Sequence, residues 1–171
     1  MYKRFLGTVL ICLMIAGVMG CSDFRVVQLD RYPLDTMEGV ITRSGVTIDK
    51  EISSDGNGSL RIFTRKPTIV RLFEIDEINI QNARLIYQAR MRTNLKGSAY
   101  LEMWCHFPGK GEYFSRDIQT PMTGISDWSV EEALFFLKKG ENPDRVTLNL
   151  VINGEGTVWI DDIRLFKSPL K

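Results

Sequence analysis

Residues 145–166, RVTLNLVINGEGTVWIDDIRLF, carry the clearest β-strand pattern in this 171-residue chain. Two runs of alternating apolar residues flank the Gly-Glu-Gly segment at 154–156, which is the pattern of a β-hairpin. One face of the first run is apolar throughout, as in a strand with one buried side. That face consists of Val146, Leu148, Leu150 and Ile152.

The second run is less regular. Val158 and Ile160 alternate with Trp159, but the next apolar residues, Ile163 and Leu165, fall on the side of Trp159. Two interpretations fit this change of phase. Either both faces of the strand are partly covered, or the pair Asp161-Asp162 sits at a β-bulge.

The middle of the chain predicts further short strands separated by turn residues, at 45–48, 59–64, 68–75, 84–92, 98–107 and 112–116. Residues 129–137 are ambiguous because Ser-Val-Glu-Glu resembles a helix capping box, whereas the apolar run that follows lacks a helical stripe. Two adjacent phenylalanines favour a strand there. Closely spaced strands without a long helical period indicate an all-β, antiparallel β-sandwich.

Residues 127–166, DWSVEEALFFLKKGENPDRVTLNLVINGEGTVWIDDIRLF, resemble the C-terminal half of galactose-binding-like β-sandwiches. These jelly-roll domains include many carbohydrate-binding modules. The resemblance implies one galactose-binding-like jelly roll over residues 33–171. Because this fold supports many ligands and also ligand-free domains, the resemblance predicts the fold more strongly than the function.

The first 20 residues are typical of a secretory signal: Lys3 and Arg4 precede an apolar run that is too short for a comfortable membrane span. The run ends in Val-Met-Gly-Cys, which resembles a bacterial lipobox, so we expect cleavage before Cys21 and acylation of its thiol. An ordinary signal peptide that happens to hold a cysteine is the alternative. Residues 21–32 would then tether the domain to a bacterial membrane, and Ser22 favours the outer membrane by its likeness to lipoprotein sorting signals.

The mature chain has no charge excess that would attract nucleic acid. Loss of Lys3 and Arg4 leaves 20 basic and 21 acidic residues. Cys12 leaves with the signal and Cys21 is used by the lipid, so Cys105 remains alone and an internal disulfide is excluded. We expect Cys105 to be a small buried hydrophobic residue.

A candidate ligand surface lies on the strand at 98–107, where alternate residues combine aromatic rings with hydrogen-bonding groups: Tyr100, Glu102, Trp104 and His106. Rings that stack on a pyranose and polar groups that hold its hydroxyls are what a sugar site needs. Arg90 and Tyr113, on neighbouring predicted strands, would add to the same surface. The alternative is that Tyr100 and Trp104 pack under a loop or against the second sheet.

A second candidate site involves Asp161, because domains that resemble this one often hold a structural calcium with an aspartate of the final strand. Calcium needs several oxygen ligands. Asp49, or a loop that holds Asp55, Asn57 and Ser59, would supply them. The rival interpretation has Asp161 accepting backbone N–H groups at a bulge, with Asp162 exposed. No other cofactor is expected.

Catalytic patterns are absent from the sequence. There is a single histidine, and neither a nucleophile elbow nor a zinc-protease motif occurs. The adjacent pairs Glu131-Glu132 and Asp161-Asp162 point to opposite faces of a strand, so neither pair can flank a glycosidic bond. We therefore predict a non-catalytic, lipid-anchored envelope protein that binds glycan or a related polymer. The alternative is a structural or assembly lipoprotein that binds a protein partner.

Overall fold

The computed structural model describes residues 25–170, which form eight strands and no helix. The all-β prediction is confirmed. No helix in this part of the chain is long and apolar enough to cross a membrane. The predicted signal peptide and Cys21 lie outside the described residues. The strands are β1 (Val27–Tyr32), β2 (Val46–Asp49), β3 (Ser59–Thr64), β4 (Thr68–Asp76), β5 (Ala83–Phe107), β6 (Gly111–Arg116), β7 (Met122–Leu137) and β8 (Arg145–Pro169).

Two strands of 25 residues each, β5 and β8, form the centre of the sheet. They pair antiparallel along their whole length, from Ala83 opposite Pro169 to His106 opposite Arg145. The other edge of β8 pairs with β1, β3 and β4 in turn, and β2 pairs with β3. The other edge of β5 pairs with β7 and then with β6.

The eight strands form one hydrogen-bonded sheet, and the long pair bends in the middle, at Gly97 and Gly154, so that the sheet folds into two packed layers. The first layer combines residues 83–95 and 156–169 with β1, β2, β3 and most of β7. The second layer combines residues 98–107 and 145–153 with β4 and β6. Contacts between the layers include Tyr32 stacked on Phe73 with ring centroids 3.8 Å apart. Phe107 of the second layer lies 6.2 Å from Phe135 of the first. The molecule is a β-sandwich.

The hairpin prediction at residues 154–156 is wrong. The two arms of that stretch do not pair with each other, because both pair with β5 as halves of one bent strand. The backbones approach so closely here that a Cβ on Gly154 would lie 2.0 Å from the carbonyl oxygen of Lys96. Glycine is therefore required for the bend rather than for a hairpin turn.

The core follows the two-residue alternation that the sequence predicts. All four apolar residues of the first run of β8 are fully buried, and so is Cys105 of β5. Each such aliphatic side chain contributes roughly 2 kcal/mol by leaving water. Burial also raises the pKa of the Cys105 thiol to about 12, so this group is an inert core residue.

The bulge interpretation of Asp161-Asp162 is confirmed. β8 advances three residues, from Asp161 to Arg164, while β5 advances two, from Arg90 back to Gln88. Asp162 has φ +47°, which aspartate tolerates better than most residues. The extra residue reverses the alternation, so the following Ile163 and Leu165 join the core.

Two other regions distinguish between sequence interpretations. Residues 129–137 belong to β7, so the strand interpretation is correct and the capping box is not used. Residues 27–32, which the sequence assigned to the tether, form β1 and pair with Ile163–Lys167 of β8. The predicted tether is therefore too long, because the sheet already begins at Val27.

Candidate functional site

The outward side chains of the second layer form a mixed aromatic and polar surface. On β5 these are the four residues that the sequence singled out, since they alternate with the fully buried Leu101, Met103 and Cys105. The paired residues of β8 and β6 extend the rows on either side. We call this surface the aromatic face: Tyr100, Glu102, Trp104, His106, Thr147, Asn149, Val151, Glu112, Phe114 and Arg116.

A buried carboxylate holds the centre of the aromatic face. Glu102 is only 4% exposed, and its Oε1 accepts hydrogen bonds from Trp104 Nε1 at 2.7 Å and from Asn149 Nδ2 at 3.3 Å. Both donors stand on the same outer side of the sheet. The Asn149 Oδ1 atom is buried without a partner among the described residues. The bond to Glu102 fixes the indole ring of Trp104 against the sheet.

Trp104 and Phe114 form the aromatic part of the surface. Their ring centroids are 4.9 Å apart with the planes tilted by 39°. Phe114 is 44% exposed, and the guanidinium of Arg116 lies 4.6 Å from its centroid. A guanidinium over a ring adds both a cation–π contact and planar hydrogen-bond donors. Aromatic surface and polar donors therefore lie side by side on β5 and β6.

The end of the aromatic face is charged. His106 Nδ1 and Asp144 Oδ1 are 2.5 Å apart. This hydrogen bond from His106 is the main reason why the pKa of the Asp144 carboxyl lies below its usual value. Arg145 extends the row, with its Nη2 atom 3.5 Å from Glu112 Oε1. Charged hydrogen-bonding groups thus continue the surface beyond the rings.

Tyr100 is largely packed away. It is 8% exposed, and its hydroxyl accepts a long hydrogen bond from Asn153 Nδ2 at 3.5 Å. The alternative, in which Tyr100 and Trp104 are both packed away, is therefore correct for Tyr100 only. Trp104 is half-buried. The accessible part of the surface is formed by Trp104, Phe114 and their polar neighbours.

Two predicted contributors lie elsewhere. Arg90 belongs to the first-layer half of β5, where it pairs with Val130 and Asp161. Tyr113 pairs with Cys105, so it shares the inward side of β6 and contacts Phe107 at 5.8 Å. There it lines a separate cavity of about 350 Å³ at the sheet edge. The structure brings Tyr100, Glu102, Trp104 and His106 together, and it places Arg90 and Tyr113 outside their surface.

Phe114 is the functional candidate that sequence reasoning missed. The register places it opposite Trp104, the position that the sequence assigned to its neighbour Tyr113. Once the register of two paired strands is known, the outward residues of one strand identify the outward residues of the other, so the pattern on β5 would have identified Phe114. The sequence alone does not fix that register.

The predicted calcium ligands are already occupied by N–H donors. Asp161 accepts Ser54 N–H at 2.9 Å through Oδ2 and Asp162 N–H at 2.8 Å through Oδ1. Burial nevertheless raises the pKa of the Asp161 carboxyl. Asp55 accepts the backbone N–H of Asn57 at 2.9 Å, within its own turn. This matches the rival interpretation for Asp161, whose carboxylate serves the bulge backbone.

The other predicted calcium ligands, Asp49 and Ser59, also form hydrogen bonds within the protein. Asp49 accepts Trp159 Nε1 at 2.9 Å and two backbone N–H groups, and the Ser59 hydroxyl donates to the Ile52 carbonyl at 2.6 Å. Lys50 Nζ donates to the carbonyl oxygens of Asp35 at 2.8 Å and of Asn57 at 2.9 Å. Residues 25–170 contain no group of three acidic, histidine or cysteine side chains suited to a metal. The described residues do not fit the expected calcium site.

Asp162 is not exposed as the rival interpretation expected. It is 8% exposed, and its carboxylate forms ion pairs with Arg31 Nε at 2.7 Å and with Arg164 Nη2 at 2.5 Å. Burial by itself would raise the pKa of the Asp162 carboxyl, but the hydrogen bonds from Arg164 and Arg31 outweigh it and lower that pKa. The second aspartate is thus an ion-paired structural residue that ties β1 to β8.

No family model matches the sequence, and no curated protein matches it either. Solved carbohydrate-binding modules share its architecture. The CBM22-1 xylan-binding domain of Paenibacillus barcinonensis Xyn10C matches with a TM-score of 0.61 and 11% identity, covering 85% of this chain and 97% of that domain. The chain has the fold of these modules. A family 16 carbohydrate-binding module matches with a TM-score of 0.53 and 14% identity, over 71% of this chain and 84% of that one. A xylan-binding domain of family 22 matches with a TM-score of 0.52 and 12% identity, covering 80% of this chain and 94% of that domain.

Proposed function

We propose that this protein is a non-catalytic, lipid-anchored envelope protein that binds glycan through the aromatic face. The observation that carries the proposal is the arrangement of Trp104 and Phe114, whose neighbouring rings lie beside the Glu102 carboxylate and the Arg116 guanidinium. Rings of this kind stack on the apolar side of a pyranose, and the polar groups bind its hydroxyls. Two of the structures with the same fold are described as xylan-binding.

The buried state of Glu102 supports a binding role rather than a catalytic one. A general acid or base must reach the proton that it transfers. The Glu102 carboxylate is 4% exposed, and its Oε1 already accepts two hydrogen bonds from Trp104 and Asn149. Its role in the proposal is to orient the indole ring. We therefore expect no turnover of glycosides.

The anchor forms the second part of the proposal and depends on the Val-Met-Gly-Cys motif that ends at Cys21. Acyl chains on Cys21 would hold the domain at the membrane, since two or three chains bind a bilayer stably where one does not. Metabolic labelling with palmitate tests this part. The label should appear on the wild-type protein and be absent from Cys21→Ala.

Glycan binding is tested by titrating the protein with xylan-type and galactan-type oligosaccharides and following tryptophan fluorescence and heat. We expect Trp104→Ala or Phe114→Ala to weaken binding by about 2 kcal/mol, or roughly thirtyfold in Kd. Phe63→Ala is a matched control, because Phe63 is 46% exposed against 44% for Phe114 but stands on β3 of the first layer. It should leave the affinity unchanged.

A protein partner is the alternative, and exposed apolar side chains near the bend favour it. Ile125 is 85% exposed, Ile69 62% and Phe63 46%. An apolar surface of this kind is typical of protein contacts. Correctly folded protein that binds no oligosaccharide in the screen would contradict the glycan proposal and favour this alternative.

A further inference from the structure

The bend gathers the ends of β5 and β8 at the opposite end of the sandwich. Hydrogen bonds connect the segments there: Asn82 N–H donates to the Lys138 carbonyl at 3.3 Å, and Asp144 N–H donates to the His106 carbonyl at 3.1 Å. We call this region the basal end. It consists of residues 25–28, 76–84, 106–112, 136–145 and 166–170.

We propose that the first-layer side of the basal end docks on an anionic phospholipid surface. The proposal rests on acylation of Cys21, as proposed above. Val27, the first residue of β1, pairs with Lys167 at the basal end. Six residue steps separate Cys21 from Val27, and a fully extended chain of that length spans at most about 20 Å. The anchor therefore keeps this end of the domain within about 20 Å of the lipid headgroups.

The charges of the basal end are divided between the two layers. Lys138, Lys139 and Lys167 lie on the first-layer side, and none of them has a side-chain hydrogen bond or ion pair within residues 25–170. Glu141 is the one acidic residue on that side. The second-layer side holds four acidic residues, Asp76, Glu77, Glu112 and Asp144, against two basic ones, Lys110 and Arg145, so acidic side chains remain in excess there. Anionic lipid would attract the first-layer side and repel the second.

Exposed apolar side chains accompany these lysines. Val26 is 59% exposed, Val27 43% and Phe136 59%. Phe136 stands on β7 opposite Arg84, one residue from the end of the strand. Apolar and aromatic side chains among lysines are the composition of surfaces that lie in the headgroup region of a bilayer. The lysines and the exposed apolar side chains thus occur together at the basal end of the first layer.

Docking on this side would set the direction of the aromatic face. The aromatic face is the outer surface of the second layer, so tilting the first layer towards lipid turns it away from the membrane. Trp104 and Phe114 would then be presented to polymer in the surrounding space. The proposal thereby connects the position of the anchor with access to the ligand.

The test is co-sedimentation of the mature chain, made without acyl chains as Cys21→Ser, with phospholipid vesicles. We expect binding to equimolar phosphatidylcholine and phosphatidylglycerol, and much weaker binding to phosphatidylcholine alone. Each lysine near an anionic bilayer contributes about 1 kcal/mol, or roughly fivefold. The triple variant Lys138→Gln, Lys139→Gln and Lys167→Gln should therefore lower the vesicle partition coefficient roughly a hundredfold.

The matched control changes three cations at the bend instead, with the same loss of net charge: Arg65→Gln, Lys66→Gln and Lys96→Gln. Thermal melts verify that both triple variants are folded. The control should bind vesicles nearly as well as the Cys21→Ser protein. Equal losses in the two triple variants, or no preference for anionic vesicles, would overturn the proposal. Because this assay uses no acyl chain, failure of palmitate labelling would refute the anchor separately, and failure of oligosaccharide titration would refute only glycan binding.

Discussion

The bend of the β5–β8 pair predicts a large and specific effect of Gly97→Ala. A Cβ on Gly97 would lie 2.0 Å from the carbonyl oxygen of Asn153 and 3.0 Å from the Cα of Gly154. The φ of Gly97, +130°, is also one that side-chain-bearing residues rarely adopt. The substitution therefore adds both a steric clash and backbone strain at one point of the central strand pair.

The magnitude follows from these two effects. The backbone of Gly97 must move about 1 Å from β8 to relieve the contact with Asn153, which lengthens the adjacent ladder hydrogen bonds into the weak range. Loss of two such bonds costs about 2 kcal/mol. The strained φ adds roughly 2 kcal/mol. A total of about 4 kcal/mol is a large part of the 5–15 kcal/mol that typically stabilises a domain.

Urea unfolding followed by tryptophan fluorescence measures this free energy. Gly109→Ala is the matched control, because Gly109 also has a positive φ, +70°, but nothing lies within 4 Å of its added Cβ. The control should lose only about 1 kcal/mol. If Gly97→Ala and Gly109→Ala lose the same free energy of unfolding, close approach of the two strands does not define the bend.

Three further predictions concern single side chains. Asp162→Asn should lower the free energy of unfolding by about 2 kcal/mol at neutral pH. Arg164 and Arg31 lower the pKa of the Asp162 carboxyl in the folded protein. The stabilisation from this carboxylate is therefore present above the unfolded pKa of about 4 and is lost as the pH falls below it. Urea unfolding at neutral pH and near pH 3 should therefore show the deficit shrinking in acid, and an equal deficit at both would contradict this. Cys105 should resist a thiol reagent at pH 8 until urea unfolds the chain, and rapid labelling of native protein would contradict its burial. EDTA and calcium should leave the melting temperature unchanged, and stabilisation by calcium would support the calcium site after all. Lys50→Gln should lower the free energy of unfolding by about 1 kcal/mol, because it removes two hydrogen bonds to carbonyl oxygens.

Residue alternation was sufficient to predict which side chains of β8 enter the core, and its change of phase correctly indicated the bulge at Asp161-Asp162. It was not sufficient to distinguish a hairpin from a bend at residues 154–156. Both structures keep the same side chains inside, so the periodicity is identical. The difference lies in the strand that supplies the hydrogen bonds, and that partner, β5, is distant in sequence.

The candidate site shows the same division between local and long-range information. Glu102, Trp104 and His106 share a face because they belong to one strand, and this was predictable. The choice between Tyr113 and Phe114 depends on the register of β6 against β5, which a shift of one residue would reverse. Similarly, Asp162 lies at a predictable bulge, but its partner Arg31 comes from a segment that composition alone assigned to a tether.

The bent pair also connects the core with the proposed binding surface. Along residues 98–107 of β5, inward residues such as Met103 and Cys105 alternate with Glu102 and Trp104 on the outside. The positions of the outer side chains are therefore set by the packing of their immediate neighbours, because a strand that shifts in the core carries its other face with it. The hydrogen bond from Trp104 to Glu102 then fixes the ring on that rigid support. A ligand that stacks on Trp104 would meet a surface already ordered before binding, which lowers the entropic cost of the contact.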